Sequence, residues 1–266
     1  MKRERVPLLG VEVTPCTASE LLEELGRLVA DGGTHTVAGH NLHSVTLCLS
    51  DPDFAAFYDG SSVVLMDGAP VAKLWARAHG PAAGAGQYRL GTTDWLHRID
   101  EIPGLERVAV LGAGSGANRA AVQELERRLP GAEVQGAPGE NWGPATEAAA
   151  SAWLAEFQPQ LVLVGLGMPL QEQVIARLSR QGTPAVYCAV GGAIEQTAGL
   201  QRLAPRWIGR LGFEWAYRLL FHPRRVAYRV FVEPWKLAWL LLRRRLRAGG
   251  RASGQNDNGN VPEGQQ

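Results

Sequence analysis

Hydrophobic and polar positions in the first two hundred residues switch repeatedly between a period near two and a period near 3.6. That switching predicts strands and helices in alternation. Short apolar runs stopped by Gly, Pro or Asp read as strands over 6–13, 34–41, 62–66, 107–111, 132–135 and 185–190, and most plainly in the run Leu161-Val162-Leu163-Val164. Helical spacing falls over 21–30, 118–129, 145–157 and 171–180, the first of them behind Thr17-Ala18-Ser19-Glu20, a capping-box sequence. Asp51-Pro52 reads as an N-cap followed by proline in the first helical turn, and the Gly/Ala-rich stretch 80–86 reads as a flexible connection. Strands alternating with helices of this length predict a parallel sheet covered on both faces.

Beyond Gly199 the pattern changes. Residues 212–221 and 234–247 read as helical, and in the second of these Trp235, Trp239, Leu242 and Leu246 fall on one face, which Leu237, Leu240 and Leu241 would widen. The apolar run is far shorter than the roughly 20 residues of a membrane-spanning helix, so this segment is expected to lie on a bilayer rather than cross it. Residues 249–266 are Gly/Asn/Gln-rich without periodicity and are expected to be disordered. The expected organisation is therefore an α/β core over 1–201, a basic amphipathic appendage over 202–248 and a tail over 249–266.

Charge sharpens this division. The net charge of +1 hides 14 Lys/Arg against 22 Asp/Glu in the first 201 residues, and 13 Lys/Arg against only Glu214 and Glu233 over 202–251. Such a cationic segment calls for a polyanionic partner. Nucleic acid would leave the leucine run facing water for no reason, whereas an anionic membrane surface accounts for both the arginines and the leucines. Three cysteines, Cys16, Cys48 and Cys188, have no metal-ligand spacing and suit a reducing compartment. No apolar run of signal-peptide length follows the basic N-terminus, so a cytoplasmic protein, peripheral on the inner face of the plasma membrane, is expected.

Candidate chemistry gathers where strands are predicted to end. Gly165-Leu166-Gly167-Met168-Pro169 stops a buried strand, and Gln171 and Glu172 open the next helix, a place where unpaired backbone N–H groups receive ligands. Gly112-Ala113-Gly114-Ser115-Gly116-Ala117 imitates a dinucleotide fingerprint, with Glu133 at the sequence distance of a ribose-binding acid. Asp67, between an apolar strand and Gly68, reads either as a general base or as a helix cap. Asp51-Pro52-Asp53 spells a D-x-D, but the proline makes Asp51 a cap, and no metal or other cofactor is predicted. His40, His43 and His79 read as structural. An NAD-dependent oxidoreductase using the Gly112 turn and a non-catalytic, lipid-tethered UDP-binding regulator remain open on these residues alone.

The order of motifs resembles the WecG/TagA/CpsF family of bacterial glycosyltransferases over almost all of 6–235. The resemblance rests on Asp67-Gly68, Leu111-Gly112-Ala113-Gly114, the stretch from Val164 to Glu172, Val190-Gly191-Gly192, Arg202-Leu203-Ala204-Pro205-Arg206-Trp207, Glu214 to Leu219, and Pro223 to Arg225. It implies a Rossmann-like parallel sheet in two halves with a helical basic C-terminal appendage. It further implies inverting transfer of an N-acetylmannosamine-type sugar from a UDP donor to a polyprenyl-diphosphate-linked sugar in cell-surface polymer synthesis, without a required metal. Asp67 inherits the role of base, and Asn41, Arg89 and Gln171 match donor-site positions. Gly112, Gly114, Glu172, Gly191, Gly192 and Glu195 complete the expected donor site, and Arg218, Arg225 and Arg229 fall where the appendage faces the acceptor diphosphate. The pattern departs at Gly39-His40-Asn41, where the family has Thr-x-Asn, at Gly91-Thr92-Thr93, at Glu195 and at the inserted Leu203, which bears on the sugar carried. No nucleic-acid partner is expected, and the oligomeric state is left open.

Overall fold

A computed structural model describes residues 1–80, 85–200 and 232–253. The chain opens with a hairpin of β1 (Glu4–Val6) and β2 (Val11–Val13). The single strand expected over 6–13 is thus two antiparallel strands, because Pro7 and the left-handed Gly10 (φ +68°) turn the chain between them. Then follow α1 (Ala18–Asp31), β3 (His35–Gly39), α2 (Leu42–Ser50), α3 (Pro52–Gly60), β4 (Val63–Leu65) and α4 (Ala69–His79). The second series is α5 (Ala85–Tyr88), α6 (Thr92–Leu96), β5 (Arg107–Gly112), α7 (Ser115–Arg128), β6 (Glu133–Ala137), α8 (Pro144–Phe157), β7 (Leu161–Gly165), α9 (Leu170–Leu178), β8 (Val186–Ala189) and α10 (Ala193–Thr197). The capping box forms as its sequence dictates: Thr17 Oγ1 accepts from Glu20 N–H, and Glu20 Oε2 accepts from Thr17 N–H at 2.8 Å.

Six strands form one parallel sheet in the order β4-β3-β8-β7-β5-β6. The two βα series therefore share a sheet, with β8 of the second beside β3 of the first. Alternation along the strands sorts the core. Val37, Val63, Val110, Leu163 and Cys188 pack under α1, α6, α7 and α10. On the opposite face, Ala109, Leu111, Val162, Val164 and Tyr187 pack under α8 and α9, while Ala38 and Val64 meet Phe54 and Tyr58 of α3. Near-continuous apolar strands are what a sheet buried on both faces requires, each buried Val or Leu contributing about 1.5–3 kcal/mol.

The last described element, α11 (Glu233–Ser253), docks on α2 and the N-terminal hairpin. Leu237, with half-buried Leu240 and Leu241, turns toward the core, Leu237 and Leu241 joining Val6, Val13, Val45, Met66 and Trp75, while Trp235, Trp239, Leu242 and Leu246 remain exposed. These two sets do not make one widened face, as expected from sequence: at 100° per residue they lie on opposite sides of the helix. Helix α11 also runs through Gly249 to Ser253, so the tail expected to be disordered from 249 starts inside a helix, whose propagation needs only one further hydrogen bond per residue. The helix expected over 212–221, the Arg202–Trp207 motif and the expected acceptor arginines Arg218, Arg225 and Arg229 lie outside the described residues.

Candidate functional site at the carboxyl edge of the sheet

Because all six strands are parallel, the segments that follow them emerge at one edge, where open α/β sheets receive ligands. Asn41 follows β3, Asp67 follows β4, Gly112 and Gly114 close β5, Gln171 and Glu172 follow β7, and Gly191, Gly192 and Glu195 follow β8. The fold thus brings the described site residues expected from the core motifs to one edge of the sheet, all but Glu172 on its rim. Within it two clusters form. They are centred on β4/β3 and on β7/β8, with the outer strands about 14 Å apart at the spacing of a sheet.

Asp67 anchors the first cluster. Asn41 caps α2 by accepting from Ser44 N–H at 3.1 Å, which aims its Nδ2 at Asp67 Oδ2, 3.5 Å away. Gly39 and Gly91 supply the space: a Cβ on Gly39 would lie 3.1 Å from Asp67 Cβ, and one on Gly91 would lie 3.0 Å from Asp67 Oδ1. Asp67 is half-buried, opens to the rim and does not cap α4, since Gly68 holds that position without a side-chain bond. Arg89 sits beside it because residues 89 and 90 bridge to Met66, and its guanidinium lies 3.5 Å from Asp94 Oδ2. Asp94 in turn accepts from Gly91 N–H at 2.8 Å, which fixes the Gly91 turn against Asp67.

Gln171 organises the second cluster. Its Oε1 accepts from Gly191 N–H at 3.0 Å, and its Nε2 donates to Glu172 Oε1 at 2.9 Å, so the amide orientation is set at both ends. Glu172 is only 1 % exposed, and its Oε2 has no hydrogen-bond partner among the described residues. Burial pushes its carboxyl up to about 7, opposed by its hydrogen bond with Gln171. It therefore stands behind the rim, holding Gln171, rather than on it. Glu195, in the first turn of α10, likewise keeps Oε2 buried without a partner among the described residues.

The glycine turn departs from the dinucleotide expectation. Gly112 adopts φ +117°, and a Cβ there would run into Gly165 O, so the glycine permits close packing of β5 on β7. Asn118 Nδ2 ties the turn by donating to the carbonyls of Val110, Gly112 and Ala137. The open N-terminus of α7 already holds an anion: Glu140 accepts from Ser115 N–H at 2.8 Å and from its hydroxyl at 2.6 Å. Those bonds hold the Glu140 carboxyl below its ordinary range. Glu133 cannot be a ribose-binding acid, for it pairs with Arg107 at the other end of β5, roughly 16 Å from the turn. Sequence spacing missed Glu140 because no motif marks it; only the parallel β5–β6 pairing carries the loop after β6 to the mouth of α7.

The three histidines singled out in the sequence are structural. His40 stacks on Tyr58 with ring centroids 4.2 Å apart and meets Ser44 Oγ at 3.0 Å; burial, with Arg3 nearby, pushes it down to about 3, so it stays neutral. His43 pairs with Glu233 at the start of α11, and His79 Nδ1 donates to Trp75 O at 2.9 Å. Asp51 accepts from the N–H groups of Asp53 and Phe54, the cap expected of it. The thiols of Cys16 and Cys48 are pushed up to about 12 by burial, as inert apolar side chains would be. Among the described residues no three His, Cys, Asp or Glu side chains gather as metal ligands would, and no helix is long and apolar enough to cross a membrane.

The chain is similar to the N-acetylglucosaminyldiphosphoundecaprenol N-acetyl-beta-D-mannosaminyltransferases of Staphylococcus aureus strains MRSA252 and NCTC 8325. Each is 25 % identical over 226 residues, covering 84 % of this chain and 87 % of the relative. The model of the glycosyl transferase WecG/TagA/CpsF family matches residues 6–251, spanning the rim, β2 and most of α11, and this chain belongs to that family of glycosyltransferases.

Proposed function

We propose that this glycosyltransferase moves an N-acetylmannosamine-type sugar from a UDP donor to a sugar linked to polyprenyl diphosphate, with inversion, at a membrane surface. The observation that carries the reading is Asp67: a half-buried carboxylate opening to the ligand-receiving edge, oriented by Asn41 and given room by Gly39 and Gly91. Asp67 takes the proton of the acceptor hydroxyl as its oxygen attacks the anomeric carbon. The bond from that carbon to the UDP oxygen breaks on the opposite face, and this single displacement inverts the centre. The backbone N–H of Gly192, in the turn that Gln171 holds, together with Arg89, receives the charge that develops on the diphosphate. Gln171 orders the Gly191 turn, and Glu195 borders the donor.

The acceptor arrives from the bilayer. Trp235, Trp239, Leu242 and Leu246 form an exposed strip, Trp235 being 78 % exposed, and the segment 202–251 is strongly cationic. Within that segment Arg218, Arg225 and Arg229 are assigned to the acceptor diphosphate, because the guanidinium fork matches phosphate oxygens and stays charged at neutral pH. Two sets of polar groups, on the rim and on the appendage, then meet the two diphosphates of the reaction.

Mass spectrometry of the lipid product formed from a short-chain polyprenyl-diphospho-N-acetylglucosamine and a panel of UDP-N-acetylhexosamines tests the reading. Asp67→Asn, which keeps shape and removes the base, should lower turnover about 10²–10⁴-fold with donor binding retained. Unchanged turnover in that variant would remove the mechanism.

A further inference from the structure

A concavity beside the N-terminal hairpin is lined by none of the residues assigned to the rim. A cleft of about 1040 Å³ opens between β1–β2, helices α2 and α3, and α11. Four guanidinium groups line it: Arg3 just before β1, Arg5 within it, and Arg243 and Arg244 from α11, opposed by the carboxylates of Glu12 and Asp59. Arg3 is braced by the carbonyls of Asp59 and Ser61, and Arg244 donates to Gly10 O at 3.4 Å, so both are held by neutral acceptors rather than by a carboxylate. Among the described residues none of the four forms an ion pair with a carboxylate. Leu49, Val11 and Leu240 supply apolar wall between the arginines.

Helix geometry aims this cleft. Leu240 and Arg244 lie on the inward side of α11, Trp235, Trp239, Leu242 and Leu246 on the outward side, and Arg243 on the flank between them, with its guanidinium 5.2 Å from the Trp239 ring. A bilayer meeting the outward strip at the depth of its tryptophans brings the cleft mouth to the level of the lipid phosphates. We propose that the cleft between the N-terminal hairpin and α11 is a binding site for the net-anionic headgroup of an acidic bilayer phospholipid, held by Arg3, Arg5, Arg243 and Arg244. The site fixes how the protein stands on the membrane, so that the rim carrying Asp67 meets a lipid-linked acceptor in one orientation. It rests on the membrane part of the proposed function, but not on the identity of the sugar or on the role of Asp67.

Sedimentation of the full chain with vesicles of phosphatidylcholine alone, and with about one third phosphatidylglycerol, tests the site. Arg5→Glu combined with Arg243→Glu should weaken binding to the anionic vesicles by about tenfold or more and leave binding to the neutral ones unchanged. Trp239→Ala, on the outward strip, should weaken binding to both. The milder pair Arg5→Gln and Arg243→Gln, which removes charge without reversing it, should show the same selective loss at about three- to tenfold, so the result does not depend on one variant folding. Thermal unfolding reads the fold of each variant. Equal binding of parent and both arginine pairs to the anionic vesicles overturns the site, as does a loss that is the same on neutral vesicles. Transfer to a short-chain acceptor in detergent, where no bilayer is present, should be unaffected by the arginine pairs. That arm reads the transferase reaction separately: a parent without transfer but with selective vesicle binding defeats the proposed reaction and leaves the cleft standing.

Discussion

Asp67 and Glu172 are two carboxylates that follow strands of one sheet, with opposite surroundings. The first opens to the edge beside an amide donor, while the second is enclosed and pushed up to about 7. Environment, not residue type, separates a group that can meet a substrate from one that only supports the site. Glu172 has a measurable signature. Its folded carboxyl binds a proton at pH values where the unfolded chain has already released it, so its burial costs stability progressively as pH rises from about 4.5 to about 7, by up to about 3 kcal/mol. Neutral His40, pushed down to about 3, acts in the reverse sense and favours folding as pH rises from about 3 to 6.5. Glu172→Gln should therefore gain stability over the parent between about pH 5 and 8 in urea unfolding. The glutamine still accepts from Gln171, so donor KM should stay close to the parent's. A difference that does not grow with pH would contradict the buried carboxyl.

At the scale of elements, the β5–α7 turn and helix α11 show how local pattern is decided by neighbours. Gly112 looks like part of a phosphate loop, yet its conformation is used to pack against Gly165, and the helix end beyond it is held by Glu140. Gly112→Ala should thus act on stability, lowering it by about 1–3 kcal/mol in denaturant unfolding through both strain at φ +117° and collision with β7. A variant of parent stability that had lost only donor binding would return the turn to the ligand. Helix α11 is similarly divided: Leu237 anchors it to α2 and the hairpin, the His43–Glu233 pair clamps its first turn, and its tryptophans are left outward.

For the whole molecule, charge is segregated along the chain, and the hairpin and α11 carry arginines to a common face although more than two hundred residues separate them. Surface attraction of that kind is screened within about 10 Å at 0.1 M salt and about 3 Å at 1 M. Binding to anionic vesicles should therefore fall steeply as sodium chloride is raised across that range, while transfer to a detergent-held acceptor changes far less. Removal of everything after Leu200 should abolish vesicle sedimentation, and it would also bare the apolar cluster that Leu237 covers. Vesicle binding that is indifferent to salt would point to the tryptophan strip alone.

Local residue patterns were enough to set the alternation of strands and helices, the capping of α1 and α3, and the places where chemistry collects. These follow from interactions within a few residues: periodicity, caps, and glycines at strand ends. Family membership was legible for the same reason, since its motifs are short and lie at those ends. Only the tertiary structure decided which strand lies beside which, and hence that Gly91 shelters Asp67, that Glu140 rather than Glu133 reaches the glycine turn, and that Gln171 of one loop orders Gly191 of the next. It also split the leucines and tryptophans of α11 into inner and outer faces and joined that helix to the hairpin around a cleft of arginines. Each of these depends on register and packing between segments distant in the chain, which no local pattern encodes.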